Sequence, residues 1–143
     1  MDDRFTPRPL ARWYAPAAVV SLLLMLLGCL AYGMHLLTDP ATLPLDQRAM
    51  FEAEPAWGPA AFGIATALGT IGSLLLITRR KAAEPLLLLS LAGTLVWFAS
   101  LFAVGPLRDL LSINDIAAAV GVLALSWTIF WFARHSRQRG WLR

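Results

Sequence analysis

The sequence predicts an all-α integral membrane protein: a four-helix bundle with short loops and both termini in the cytoplasm. Three observations predict it. Hydrophobic residues make up 58% of the chain and charged ones 15%, where a soluble domain carries about 25% charge. The apolar residues gather in four runs, and the basic residues fall on alternate connections between them. With 143 residues, a soluble domain would have too much surface for so few charges to cover. An ordinary soluble enzyme fold, a disordered chain and a disulfide scaffold are excluded together.

The first run spans about residues 13–37 and holds no charge between Ala15 and Met34. The second spans 56–77, the third 86–104 and the fourth 113–133, followed by a tail over 134–143. Each run is close to the ~20 residues that a helix needs to cross ~30 Å of hydrocarbon. Each satisfies its backbone hydrogen bonds within itself, as the bilayer demands. The stretch Leu86-Leu87-Leu88-Leu89 lacks the alternation of a barrel strand. Pro16 sits in the first turn of span one, and Pro55 opens span two after Glu52 and Glu54. Glu84-Pro85 opens span three, with the carboxylate near the positive helix end. Gly105-Pro106 ends it. Ser112 and Asp115 have the spacing of a capping box for span four.

Topology follows from the loops. Arg4, Arg8 and Arg12 precede span one, against Asp2 and Asp3. Arg79, Arg80 and Lys81 lie between spans two and three, and Arg134, Arg137, Arg139 and Arg143 follow span four. The loop after span one carries Asp39, Asp46, Glu52 and Glu54 against Arg48. Counting Lys and Arg near the span ends puts the termini and the Arg79 turn in the cytoplasm, and the other two loops outside. Basic residues split among short juxtamembrane pieces suit anionic headgroups and give no nucleic-acid surface. The loop over 38–55 is long enough either to form a short helix through Gln47, Arg48 and Phe51 or to stay an ordered turn. Leu43, Met50 and Phe51 would rest on the bilayer or cap the bundle. Trp13, Tyr14, Trp57, Trp131, Phe132 and Trp141 stand at interface positions, where amphipathic rings settle.

Ala61, Ala65, Gly69 and Ser73 recur every four residues, widened by Gly72, and make a smooth stripe for a close helix neighbour. Ala117 and Gly121 make a shorter stripe in span four, and the two are expected to meet. The stripe reads first as packing inside the bundle, and second as a homodimer contact.

Chemistry is scarce. The mid-span polar groups are Ser21, Cys29, Thr66, Thr70, Ser90, Thr94, Ser100, Ser126 and Thr128. Hydroxyls such as those of Thr66 and Thr70 return to carbonyls of the preceding turn. No mid-span carboxylate, lysine, arginine or histidine marks a charged pathway, which argues against a proton-driven pump. A path for a neutral solute would show as a water-reachable cavity lined by Thr66, Thr70, Trp97 or Trp127. His35 and His135 belong to opposite ends of the bundle, so no metal set forms from them. Cys29 is the single cysteine. Leu26-Leu27-Gly28-Cys29 has the look of a lipoprotein cleavage site, but the apolar run continues through Leu30, Ala31, Tyr32 and Met34, so an intact span is expected. No catalytic residue, cofactor or metal is assigned, and the chain is not expected to be an enzyme. The expected partners are membrane lipids, a second copy of the chain, or another membrane protein.

The chain also resembles a family of short four-helix bacterial inner-membrane proteins. The resemblance rests on Trp13-Tyr14, Gly28 and Ala31-Tyr32, then on Gln47-Arg48-Ala49, Pro55-Ala56-Trp57 and Ala61-Phe62-Gly63-Ile64-Ala65. Gly69, Gly72 and Arg79-Arg80-Lys81 follow, and it ends on Trp131-Phe132-Ala133-Arg134 and Arg139-Gly140-Trp141-Leu142. It implies an inner-membrane location. Members often carry an automatic "sugar transporter" label, and the family supplies no catalytic or binding residues to carry over. The small-residue stripes, the short loops and the lack of reactive groups point to a function by association with itself, a partner or lipid. The alternative is an oligomeric transporter, or transporter subunit, for a neutral solute such as a sugar.

Overall fold

The computed structural model describes residues 9–143, so Asp2, Asp3, Arg4 and Arg8 of the topology argument lie outside the described residues. Four helices are long and apolar enough to cross a membrane: α1 (Tyr14–Leu37), α3 (Trp57–Ile77), α4 (Ala83–Ala103) and α6 (Ile113–Gln138). Two short helices, α2 (Leu45–Ala53) and α5 (Gly105–Leu110), join them at one end. The molecule is a multi-pass, all-helical membrane protein. Its large apolar side chains face outward, as Leu27 at 60% exposed and Ile64 at 61% exposed illustrate. Lipid is the solvent for that surface.

Local chemistry sets the ends. Ser112 and Asp115 form a full capping box at the start of α6. Glu84 sits in the first turn of α4. Pro85 follows it, where the ring removes a donor that has no intrahelical partner. Gly105 and Pro106 do stop α4, and the chain re-enters a helix as α5 after the extended Val104.

The long helices pack in a row that follows chain order: α1 on α3, α3 on α4, α4 on α6. The small-residue stripe makes this possible. Ala65, Gly69 and Ser73 are buried, and they face α4 and α1. A Cβ on Gly93 of α4 would meet Ala65 Cβ at 2.9 Å and the Ala61 carbonyl oxygen at 3.2 Å. A Cβ on Gly69 would run into Met25 of α1 and meet Ser90 Oγ at 2.8 Å. Ser90 Oγ donates across the interface to Ala65 O at 2.7 Å. The expected meeting with Ala117 and Gly121 does not occur. Both are exposed, and nothing lies within 4 Å of a Cβ on Gly121. The stripe instead takes Gly93 and Ser90 of its sequence neighbour.

One end of the bundle is basic and tightly fastened. Helix α3 stops in a Schellman motif, with Arg80 N donating to Leu75 O (2.8 Å) and Arg79 N to Leu76 O (3.0 Å). Arg79 fills the left-handed position (φ 59°) that glycine usually takes, at roughly 1–2 kcal/mol for a residue with a Cβ. Its side chain and backbone are both held by the tail. Arg79 Nε donates to Trp141 O at 2.9 Å. Arg143 N donates to Arg79 O at 2.6 Å, and Lys81 N to Arg143 O at 3.0 Å. Helix α6 ends in a second Schellman motif at Gly140 (φ 71°), which turns Trp141 and Leu142 back into the core.

Three expectations need correcting here. The helix does not stop at residue 133 but continues through Gln138, because basic side chains suit the negative end of a helix that extends past the hydrocarbon. Trp141, expected as an interface ring, folds back into the core together with Leu142, at 5% and 3% exposed. Tyr14 and Phe132 are core residues rather than headgroup-level rings: Tyr14 is 2% exposed and its hydroxyl donates to Leu76 O at 2.7 Å. Trp13, Trp57 and Trp131 are about half exposed (49%, 47% and 54%), as interface residues are.

At the other end, the 38–55 loop folds as a 3-10 turn (Pro40–Thr42) followed by α2. Asp39 caps the turn through Ala41 N. Met50 and Ala53 of α2 pack against a small core of Leu101, Leu107 and Ala119. Phe51 stacks on His35 at 4.6 Å. The loop therefore caps the bundle.

Candidate functional site

The row of helices leaves its two outer members, α1 and α6, facing each other across a seam. At the basic end the seam is shut by rings. Trp13 and Tyr14 lie 5.6 and 5.3 Å from Phe132, and both pack against Trp141. Further along, the helices part. A cavity of about 270 Å³ opens there, bounded by Leu24, Gly28 and Ala31 of α1 and by Val122, Leu125 and Ile129 of α6. Behind them, α3 and α4 supply the floor through Ala65, Thr66, Ser90 and Thr94. A second concavity of about 330 Å³ lies nearer the basic end, between Trp13, Ala17 and Val20 on one side and Thr128 and Trp131 on the other. The two share Leu24, Leu125 and Ile129, so they are neighbours along the same α1–α6 seam.

The reason for the gap is in the side chains. Gly28 and Ala31 add no bulk to the α1 wall. A Cβ on Gly28 would meet Thr66 Cγ2 at 2.6 Å, so α1 approaches α3 closely there.

The groove is apolar in function even where hydroxyls touch it. Thr66 Oγ1 donates to Gly63 O (3.0 Å), Ser90 Oγ to Ala65 O (2.7 Å) and Thr94 Oγ1 to Ser90 O (3.0 Å). Ser126 Oγ sits 3.4 Å from Thr94 Oγ1. Their protons are taken by backbone or by each other, as the sequence led us to expect for Thr66 and Thr70. Thr66 lines the cavity; Thr70, Trp97 and Trp127 do not. Thr70 lies 3.4 Å from Cys29 Sγ. Trp97 packs on Phe62 at 5.0 Å, and Trp127 is 59% exposed on the outer face of α6.

A third cavity, about 390 Å³, lies under α2 at the far end. His35, Gln47, Glu54 and Asp115 reach it, together with Met50, Phe51 and Leu107. His35 Nε2 is 3.9 Å from Glu54 Oε2. Burial raises the Glu54 carboxyl above its ordinary value, and the His35 charge pulls it part of the way back. Among the described residues, no group of three or more His, Cys, Asp and Glu side chains is placed to hold a metal ion. His35 and His135 are at opposite ends: His35 beside Phe51, His135 stacked on Trp131 at 5.1 Å.

Sequence reasoning did not find the seam. Its wall residues, Leu24, Leu125 and Ile129, are ordinary span residues with no chemical mark. The one available signal was Gly28 with Ala31, two small residues on one face of a leucine-rich helix. Comparison with protein families, with curated proteins and with solved structures returns no match to this chain.

Proposed function

We propose that the protein is a small inner-membrane component that works by association, through the α1–α6 side of the bundle, and not by catalysis. The observation that carries this reading is the open seam. It is an apolar groove built into an otherwise close-packed row of helices, and it faces the membrane. Close helix packing elsewhere, along Ala65, Gly69 and Gly93, makes the gap a local feature and not general looseness. The occupant is a second copy, a partner membrane protein or lipid. The basic end, where Arg79, Lys81 and Arg143 meet, is assigned to the cytoplasm by the positive-inside rule. The likeness to short four-helix bacterial inner-membrane proteins belongs to the same proposal.

A transport role for a neutral solute such as a sugar is the second reading. The hydroxyls on the cavity floor favour it. Against it, Thr66, Ser90 and Thr94 already donate their protons inward. A sugar would find acceptors but few donors, and four helices give it no continuous polar path.

Native mass spectrometry of the intact protein, gently extracted from its own membrane, tests the reading. A retained copy, partner or lipid is the expected result. A bare monomer would count against association, and a homo-oligomer holding a defined non-lipid solute would favour transport.

A further inference from the structure

We propose that the cavity under α2 is a binding site for a small organic cation, an amine with an apolar body, held by the carboxylates of Glu54 and Asp115. The proposal stands apart from the association reading. It uses the end of the bundle away from the Arg79 turn, and its lining shares no residue with the seam.

The cavity has room for such a guest. At about 390 Å³ it falls within the range of small-molecule sites, about 300–1,000 Å³. Five helices wall it: α1, α2, α4, α5 and α6 each bring at least one side chain. The lining is mixed. Met50, Leu101 and Leu107 offer apolar surface to the body of the guest, while Gln47, Glu54 and Asp115 offer acceptors to its head. Among the described residues, no lysine or arginine lines the cavity.

What the lining lacks is a positive donor. The Glu54 side chain is only 18% exposed, and its one charged neighbour among the described residues is His35 Nε2 at 3.9 Å, beyond hydrogen-bonding distance. Burying an ionised carboxylate without a donor is costly, and an ammonium group supplies the missing donors. Asp115 accepts through Oδ2 from Ser112 N (2.9 Å) and Ser112 Oγ (2.6 Å), which leaves Oδ1 without a donor among the described residues. Those bonds to Ser112 hold its carboxyl below the ordinary value, so it stays ionised. Helix ends add to the field. Thr38 is the C-cap of α1, Glu54 that of α2, and Leu101 lies in the last turn of α4. Helix C-termini carry partial negative charge, and Asp115 offsets the positive start of α6. The arginines at this end are engaged elsewhere: Arg48 Nε bonds Glu52 Oε1 at 2.7 Å, and Arg108 Nε lies 3.9 Å from Asp109 Oδ1. An anion would meet two carboxylates and no base. A metal ion would lack a set of three ligands among the described residues. A neutral guest would leave Glu54 buried without a counter-charge.

The test places the full chain in phosphatidylcholine nanodiscs and measures equilibrium dialysis at mildly alkaline pH, with uptake by empty discs subtracted. Phenethylamine is the probe, and phenethyl alcohol and hydrocinnamate are its neutral and anionic analogues. The wild type is expected to bind one phenethylamine per chain, saturably, and neither analogue. Glu54→Gln should weaken binding about tenfold, as the loss of one charge-assisted hydrogen bond does. Gln47→Trp, made at an exposed position, should plug the cavity and abolish binding while helical content and melting temperature hold. Acidification should weaken binding, because protons on Glu54 and His35 compete with the cation. With Asp115, these are the titratable groups that line the cavity from α1, α2 and α6; α4 and α5 present Leu101 and Leu107. Uptake that does not saturate, equal binding of the three probes, or an affinity unchanged by Glu54→Gln overturns the proposal. Full binding by Gln47→Trp overturns it as well.

Discussion

Tyr14 and Ser73 are both buried hydroxyl residues, and they are expected to behave oppositely. The Tyr14 hydroxyl ties α1 to the end of α3 through Leu76 O. Tyr14→Phe should cost about 0.5–1.5 kcal/mol, the net worth of one such bond. Ser73 Oγ is buried between helices with no hydrogen-bond partner. Ser73→Ala removes an unpaired polar atom and should leave stability unchanged or raise it by up to ~1 kcal/mol. Reversible unfolding in mixed micelles reads both, and a loss at Ser73 matching that at Tyr14 would mean its hydroxyl has a partner. Glu54 gives a pH test. Its folded carboxyl binds protons more tightly than the unfolded one, because burial outweighs the His35 charge. Between the unfolded and the raised folded value, the folded state holds more protons, so stability falls as pH rises through that window. Glu54→Gln should flatten this part of the pH–stability curve. An unchanged slope would show that the carboxyl is solvated in the membrane-bound protein.

The helix pairings rest on a few close approaches. Gly93→Leu would drive a side chain into Ala65 and the Ala61 carbonyl, and should destabilise by about 1–3 kcal/mol, the usual cost of overpacking. Gly121→Leu meets nothing and should stay within about 0.5 kcal/mol of wild type. Equal effects on the unfolding midpoint would sink the pairing of α3 with Gly93 of α4. Much of this level was legible in the sequence. The apolar runs gave the four long helices, and Ser112 with Asp115 gave the start of α6, because capping and hydropathy are local properties. The Ala61–Ser73 stripe was legible as a packing surface, but its partner was not. Small residues recur in both α4 and α6, and only the order of packing chooses Gly93 over Gly121. The folded tail was hidden for a similar reason. Trp141 reads as an interface ring until Gly140 is seen to turn it inward. The seam left only the small pair Gly28 and Ala31 as a trace, since a groove is made by two helices that fail to meet.

At the scale of the molecule, charge is divided between the ends. The Arg79 turn and the tail share one end with the start of α1, while α2 and the α5 segment share the other. Reporter fusions after Arg143 and within the 78–82 turn should both report the cytoplasm, and a fusion in the 38–44 segment the opposite side. A reporter after Arg143 found outside would invert the assignment.

The packing order has a consequence for how the protein is made. Each long helix after the first finds a packed neighbour in the span synthesised just before it: α3 finds α1, α4 finds α3, and α6 finds α4. A nascent chain can therefore dock each span as it enters the bilayer, without holding an earlier one in reserve. Such local contacts close quickly. The hydrogen bonds that Arg79 and Lys81 make with the 141–143 segment, and the packing of Trp13 and Tyr14 on Phe132 and Trp141, must wait for the end of α6 and the segment after it to emerge. The strained turn at Arg79 is thus completed late, after all four spans have been made, as a seal on a bundle already assembled.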